Sequence, residues 1–339
     1  MAGPAPPFLH RLLLTARGFW PAWLGTLVLL FIASFSLTLI KLMEQHAMTL
    51  EQLRIFIAVA ERQHVTQAAS QLNLTQSATS AAIAALETRY GIKLFDRVGR
   101  GIVLTQGGRD FLNEAREVVA RAKAAAQVLD DLAGLKRGAL TLAASQTVAN
   151  YWLPPRIEAF RKAHPGIDLH LAIANTEQVA QAVNRGNADL GFVEGEVDDP
   201  SLAIRKMEGD SLAIVVGASH PWIGKPRITP KLLTETCWIL REPGSGTRSM
   251  FEAALKKFGI RLSDLDIRLE LPSNEAVRVA VESGDCATAI SDLVVVQSLA
   301  ARTLHRVKID LPRRPFFVLR HKERYASQAE RALFGSFRV

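Results

Sequence analysis

The sequence predicts an α/β chain in three parts: a winged helix-turn-helix, one long linker helix, and an α/β region laid out in two sets of similar size. Three observations predict it. Two short helical patterns are joined by a tight turn and followed by β-prone runs broken at Gly99 and Gly101. An apolar seam with coiled-coil spacing runs from Phe111 to Leu132. From Ala139 onward strand patterns alternate with helical ones, the grammar of parallel sheets covered on both faces.

The N-terminal stretch stands apart from this plan. Residues 18–40 carry no charge, and 23 apolar or neutral residues can span a bilayer core of ~30 Å. Arg11 and Arg17 precede them, and Trp20 and Trp23 stand where interfacial aromatics would. One reading is a membrane anchor or an export signal. The other is an over-long start, because Met48 opens a well-patterned helix and the 292 residues from there form a full soluble pattern.

After Met48 the elements follow in order. Thr49 to Arg62 places Leu50, Leu53, Phe56, Ile57 and Ala60 on one helical face. A short Ala-rich helix opens at Thr66, Leu74 and Thr75 make the turn, and Gln76 to Tyr90 forms a third helix that Gly91 ends. An Ala-rich first helix lets the second cross closely, as a helix-turn-helix requires. Lys93 to Thr105 reads as a two-stranded wing. In the long helix that follows, Phe111, Ala115, Val118, Ala122, Ala125, Leu129 and Leu132 advance by alternating steps of four and three. That 3.5-residue period marks a helix that pairs with another helix. Beyond it come strands at residues 139–145, 167–175 and 188–195, and a second set opening with the strand from Asp210 to Gly217.

Composition narrows the function. Hydrophobic residues make up 48% and charged residues 22%, which excludes wholesale disorder, a fibre and a multi-span membrane protein. A net charge of +8, still +6 without residues 1–47, favours a polyanion or an anionic metabolite as partner. Cys237 and Cys286 allow no Cys-x-x-Cys, so a cysteine zinc site and a disulfide framework are not expected. Both thiols are expected buried and inert, and a reducing compartment fits. The Gly244 to Arg248 loop lacks the ending of a Walker A loop and is not a nucleophile elbow, and the eight histidines include no His-Glu-x-x-His. No catalytic residue, metal or cofactor is expected.

The second helix of a helix-turn-helix presents its N-terminal residues to base edges, here Gln76, Ser77, Ala78, Thr79 and Ser80. Gln pairs bidentately with adenine, hydroxyls serve several bases, and helix N-termini favour phosphate. Arg97 and Arg100 bracket the wing turn, placed for a minor groove or for phosphates. The run from Phe56 to Ala115, with these motifs in this order, resembles the N-terminal domain of LysR-type transcriptional regulators, and the likeness extends from Met48 to near the end. The resemblance implies a winged helix-turn-helix, a dimerising linker helix and a two-lobed effector domain like periplasmic binding proteins. It places DNA contacts at Thr66, Gln76, Ser77, Ser80, Arg97 and Arg100.

It also implies a cleft between lobes that takes a small, often anionic, inducer. In such sheets ligands bind beyond the carboxyl ends of strands, where loops lead into helices. Ser145, Gln146 and Thr147 stand at one such place, Ser245, Thr247 and Arg248 at a second, and Ser273 and Asn274 at a third. Their hydroxyls and free N–H groups suit an anion, although each hydroxyl taken singly also reads as a plain N-cap. Asn175, Thr176 and Glu194 are candidates for the rim.

The expected organisation is an extension at 1–47, a DNA-binding domain at 48–105, a dimerisation helix at 106–138 and an effector domain at 139–339. Its lobe 1 comprises about 139–208 plus the C-terminal end, and lobe 2 about 209–319. The expected protein is a cytoplasmic DNA-binding regulator, a homodimer or tetramer on double-stranded DNA, switched by a small anionic metabolite, with RNA polymerase as a further partner. Two other readings stay open: a membrane-anchored DNA-binding sensor, and a solute-binding protein, for which a helix-turn-helix has no use.

Overall fold

The structure, a computed structural model, describes residues 48–99, 101–132, 138–225, 227–309 and 311–337. The apolar segment at 18–40 and Arg100 of the wing lie outside them. The chain divides into two compact units between Leu112 and Asn113. Among the described residues no helix is long and apolar enough to cross a membrane.

The first unit opens with α1 (Leu50–Arg62), started by a capping box between Thr49 and Gln52. α2 (Val65–Gln71) begins one residue before the expected Thr66, because the His64 ring accepts from the Gln67 N–H and serves as N-cap. α3 (Gln76–Tyr90) is capped by Thr75 and closed by Gly91 at φ +66°. β1 (Phe95–Val98) and β2 (Gly101–Leu104) form the antiparallel wing, Phe95 facing Leu104. Phe56, fully buried, fixes the core between Phe95 and Phe111, with ring centroids 5.5 and 4.9 Å away. α4 (Gln106–Leu132) starts here and continues into the second unit.

The second unit holds one nine-stranded sheet. Its strands are β3 (Gly138–Ser145), β4 (Ile167–Ala174), β5 (Leu190–Glu194), β6 (Leu202–Gly217), β7 (Cys237–Arg241), β8 (Asp266–Leu271), β9 (Ala287–Ser291), β10 (Leu304–Arg306) and β11 (Arg313–His321). Neighbours run β4-β3-β5-β11-β6-β9-β7-β8, with β10 also on β6. Helices α5 (Pro154–Ala163), α6 (Thr176–Asn184), α7 (Gly246–Lys257), α8 (Asn274–Glu282), α9 (Asp292–Ala300) and α10 (Gln328–Ser336) cover it.

The strand expected from Asp210 starts eight positions earlier. β6 pairs β11 over Leu202–Ser211 and β9 over Leu212–Val216, so one strand serves both lobes. Each lobe has its own core, around Trp152, Phe192 and Phe316 in the first and Trp238, Phe251 and Leu240 in the second. The register of β11 on β6 shifts between Arg314 and Phe316, at Pro315, which has no N–H for a ladder.

The cysteines correct the sequence expectation. Cys237 and Cys286 are joined by a disulfide, their Cα atoms 4.7 Å apart across 49 positions of sequence. The sheet order is the reason: β7 and β9 are parallel neighbours with Trp238 beside Ala287, so the residues just before this pair lie side by side.

Candidate functional site

The candidate nucleic-acid face lies on the first turns of α3. Gln76, Ser77, Ala78 and Ser80 are exposed there, as is Thr66 on α2. Thr79 is not among them: it is fully buried and donates to the Thr75 carbonyl. Arg97 is exposed on the wing. Sequence reading missed Glu87, which ties the wing to α3. Its carboxylate accepts from the Leu94 and Phe95 N–H groups at 2.8 and 3.2 Å and from Lys93 Nζ at 2.8 Å. Burial opposes that charge, yet these hydrogen bonds hold the carboxyl below its ordinary value.

In the second unit, the places singled out from sequence converge where β6 and β11 pass from one lobe to the other. The bulge at Pro315 turns Arg314 inward, fully buried, opposite its register partner Asp210. Arg314 Nε donates to Asp210 Oδ1 at 2.6 Å, and its Nη2 donates to Oδ2. Ser291 Oγ also donates to Asp210. Burial works against the guanidinium's charge, but the bond to Asp210 and the charges of Glu194, Asp210 and Asp292 push its pKa above the ordinary arginine value.

Glu194, 1% exposed at the end of β5, is the centre of the arrangement. Ser145 Oγ from lobe 1 donates to its Oε2. Thr247 Oγ1 from lobe 2 donates to Oε1 at 3.2 Å, and Arg314 Nη1 donates to Thr247 at 2.9 Å while lying 3.9 Å from Oε1. Ser245, 2% exposed at the N-cap of α7, has an Oγ with no hydrogen-bond partner among the described residues. The lobes approach closely because Gly246 has no side chain. A Cβ there would fall 1.9 Å from the Glu194 carbonyl oxygen.

A second bridge crosses beside it. Gln146 donates to the Pro272 carbonyl at 2.7 Å and accepts from the Asn274 N–H at 2.9 Å, while Asn274 Nδ2 donates to Thr147 at 3.0 Å. Arg241, 3% exposed, donates to Asn274 Oδ1 and pairs with Glu242, which accepts from Asn175 at 3.3 Å. Thr176 donates to the Glu194 carbonyl at 2.8 Å.

Two expected residues border the second bridge and point their side chains to partners of their own. Arg248 pairs with Glu252 and Glu270 and donates to the Arg241 carbonyl. Ser273 is the N-cap of α8. The cations within these clusters are Arg314 and Arg241, both buried. Their sequence signals were faint: each is an arginine at the end of an apolar strand run, Cys237–Arg241 or Arg313–His321.

Comparison with known proteins then decides the family. Residues 50–109 match the family model described as bacterial regulatory helix-turn-helix protein, lysR family, and residues 133–338 match the LysR substrate binding domain. The chain belongs to the LysR family. This LysR-type chain is a DNA-binding transcriptional regulator, as its relatives' names also say. The HTH-type transcriptional regulator YeiE of Escherichia coli strain K12 is 33% identical over 285 residues, covering 84% of this chain and 94% of the relative. The RuBisCO operon transcriptional regulator of Allochromatium vinosum is 31% identical over 271 residues, 80% of this chain and 84% of the relative. Among solved structures, full-length OxyR C199D from Pseudomonas aeruginosa superposes with a TM-score of 0.63 at 20% identity, over 86% of this chain and 95% of that one. The regulatory domain of Synechocystis PCC6803 CcmR, in complex with 2-PG, has a TM-score of 0.54 at 26% identity, over 59% of this chain and 96% of that one.

Proposed function

We propose that this LysR-type regulator senses a small anion in the cleft between its lobes, and that Glu194 occupies the anion's place when none is bound. The observation that carries the reading is the convergence of Ser145, Thr247 and Arg314 on one buried carboxylate, next to the Ser245 hydroxyl, which has no partner among the described residues. These donors suit any oxyanion, and the N-terminus of α7 adds N–H groups that favour negative charge. A bound effector takes the donors and turns Glu194 out. Because Thr247 belongs to lobe 2 and Ser145 to lobe 1, the exchange changes what holds the lobes together. The complex of a related regulatory domain with 2-PG, a small anion, supports the same ligand class.

Glu194→Gln tests this reading. It removes a competing negative charge and keeps the side chain's shape, so the variant should bind its anion at least ten-fold more tightly than the parent. The measurement is a thermal-shift titration of the full chain with small phosphates, carboxylates and sulfur oxyanions, alongside neutral and cationic controls. Stabilisation by neutral or cationic compounds alone, or identical titrations of parent and variant, would overturn the anion reading.

The DNA-reading roles of Thr66, Gln76, Ser77, Ser80, Arg97 and Arg100 belong to the same proposal, supported by the exposed face of α3. Gln76→Ala should lose about 1–3 kcal/mol at one base position and relax preference there. Binding is measured on operators selected from random sequence, with each base varied in turn. Equal losses on every sequence would place Gln76 off the bases. The chain works as a dimer, or a pair of dimers, through α4, whose Val118, Leu129 and Leu132 are 44, 68 and 79% exposed. The same assay reports this, since a pair of heads binds two half-sites far more tightly than one. Equal affinity for one and two half-sites would count against it.

A further inference from the structure

The second lobe's sheet is assembled from two parts. β6 pairs β9 from Leu212 beside Ser291 to Val216 beside Ala287, and β7 pairs β8 from Cys237 beside Asp266 to Arg241 beside Leu271. Between these parts, among the described residues, the register of β7 on β9 is Trp238 against Ala287 alone. One residue before that pair stands the bridge from Cys237 to Cys286. The seam between the two parts is therefore short and has a covalent staple at one end. Its other end is the cleft: β7 finishes at Arg241, which holds Asn274, and β9 finishes at Ser291, which holds Asp210.

We propose that Cys237 and Cys286 form a reversible thiol–disulfide switch on this seam, closed by a peroxide and opened by a dithiol. Reach is adequate. The sulfurs lie just under the surface, Cys237 being 7% and Cys286 2% exposed, with exposed Asp285 directly before Cys286. Cα atoms 4.7 Å apart fall within the range a disulfide spans, so closure needs no rearrangement of the strands. Asp285 Oδ1 lies 3.9 Å from both sulfurs.

The chemistry balances with the two thiols as reductant. The Cys237 thiolate, the more exposed, attacks one peroxide oxygen. The S–O bond forms, the O–O bond breaks, and the leaving oxygen departs as water (or as an alcohol from an organic peroxide), giving a sulfenic acid. Cys286 then attacks that sulfur, the S–S bond forms, the S–O bond breaks, and a water leaves. Two electrons pass from the thiols to the peroxide. A dithiol reverses the state by exchange, becoming a disulfide itself. In the reduced form the seam is held by its one registered pair and by side-chain packing. Arg241 and Ser291 are then less firmly placed, and the cleft they help to hold is loosened.

The test uses the purified full chain, treated with hydrogen peroxide or with dithiothreitol. Alkylation and peptide mass spectrometry read the thiols, and amide hydrogen exchange reads residues 237–241 and 287–291. The expected result is a linked 237–286 peptide that appears with peroxide and disappears with dithiol. Exchange in both strands should be at least ten-fold faster in the reduced form, with lobe 1 strands β3 and β4 unchanged. Cys286→Ser should exchange like the reduced parent and ignore peroxide. Cys286→Ala serves where the serine hydroxyl itself disturbs the buried site. The proposal is overturned if no linked peptide forms, if the bridge resists dithiol in the folded chain, or if exchange is the same in both states or changes equally in lobe 1.

Discussion

Arg314→Met should cost the second unit about 3–5 kcal/mol, a large fraction of the stability of an ordinary domain. The loss comes from what is left behind more than from what is removed. Asp210 is 3% and Glu194 1% exposed at their side chains, and without Arg314 both stay buried as carboxylates with hydroxyl donors alone. Methionine keeps much of the volume, so the cavity contribution is small. Calorimetry of the full chain should show the transition of this unit displaced strongly downward while the first unit, to Leu112, melts as before. Adding Asp210→Asn and Glu194→Gln neutralises the stranded charges and should restore at least half of the loss. A single variant that melts with the parent, or a triple variant no better than the single, would show that the guanidinium does not hold these carboxylates.

Glu330 should make the parent's stability fall as pH rises from about 4.5 to about 7. The residue sits on α10, 7% exposed, and burial pushes its carboxyl from 4.5 up to about 7. Arg320, 3.2 Å away, opposes that rise, and the charge of Asp189 adds to it. The folded state therefore keeps a proton that the unfolded chain has released. Stability from this group is fully present below pH 4.5, is lost as pH passes through 7, and is constant above. The displacement corresponds to about 3 kcal/mol. Glu330→Gln has no proton to lose, so its advantage over the parent should grow across that interval and reach its full value by pH 8. Denaturant midpoints of both proteins at several pH values measure it. Parallel curves, or a parent that gains on the variant as pH rises, would rule out a protonated Glu330.

Much of the fold was legible from local pattern. Helix-turn-helix and wing are short-range structures: Thr75 caps α3, Gly91 ends it with positive φ, and glycines turn the wing, all within a few residues of what they shape. The alternating α/β grammar is equally local, and so were the loops after β3, β7 and β8. What escaped was set by partners distant in sequence. Arg314 acquires its role from Asp210, 104 positions away, through strand register and a bulge. Arg248 reads from sequence as a free cation after a promising loop, but Glu252 and Glu270, four and 22 positions on, pair with it. The same holds for Cys237 and Cys286. Composition could count two thiols and rule out a Cys-x-x-Cys, but only the order of strands in the sheet makes residues 49 apart neighbours. Local sequence thus determined the elements, their caps and the family. Long-range pairing decided which buried charges meet and which sulfurs share a seam, because each depends on a register that no single segment encodes.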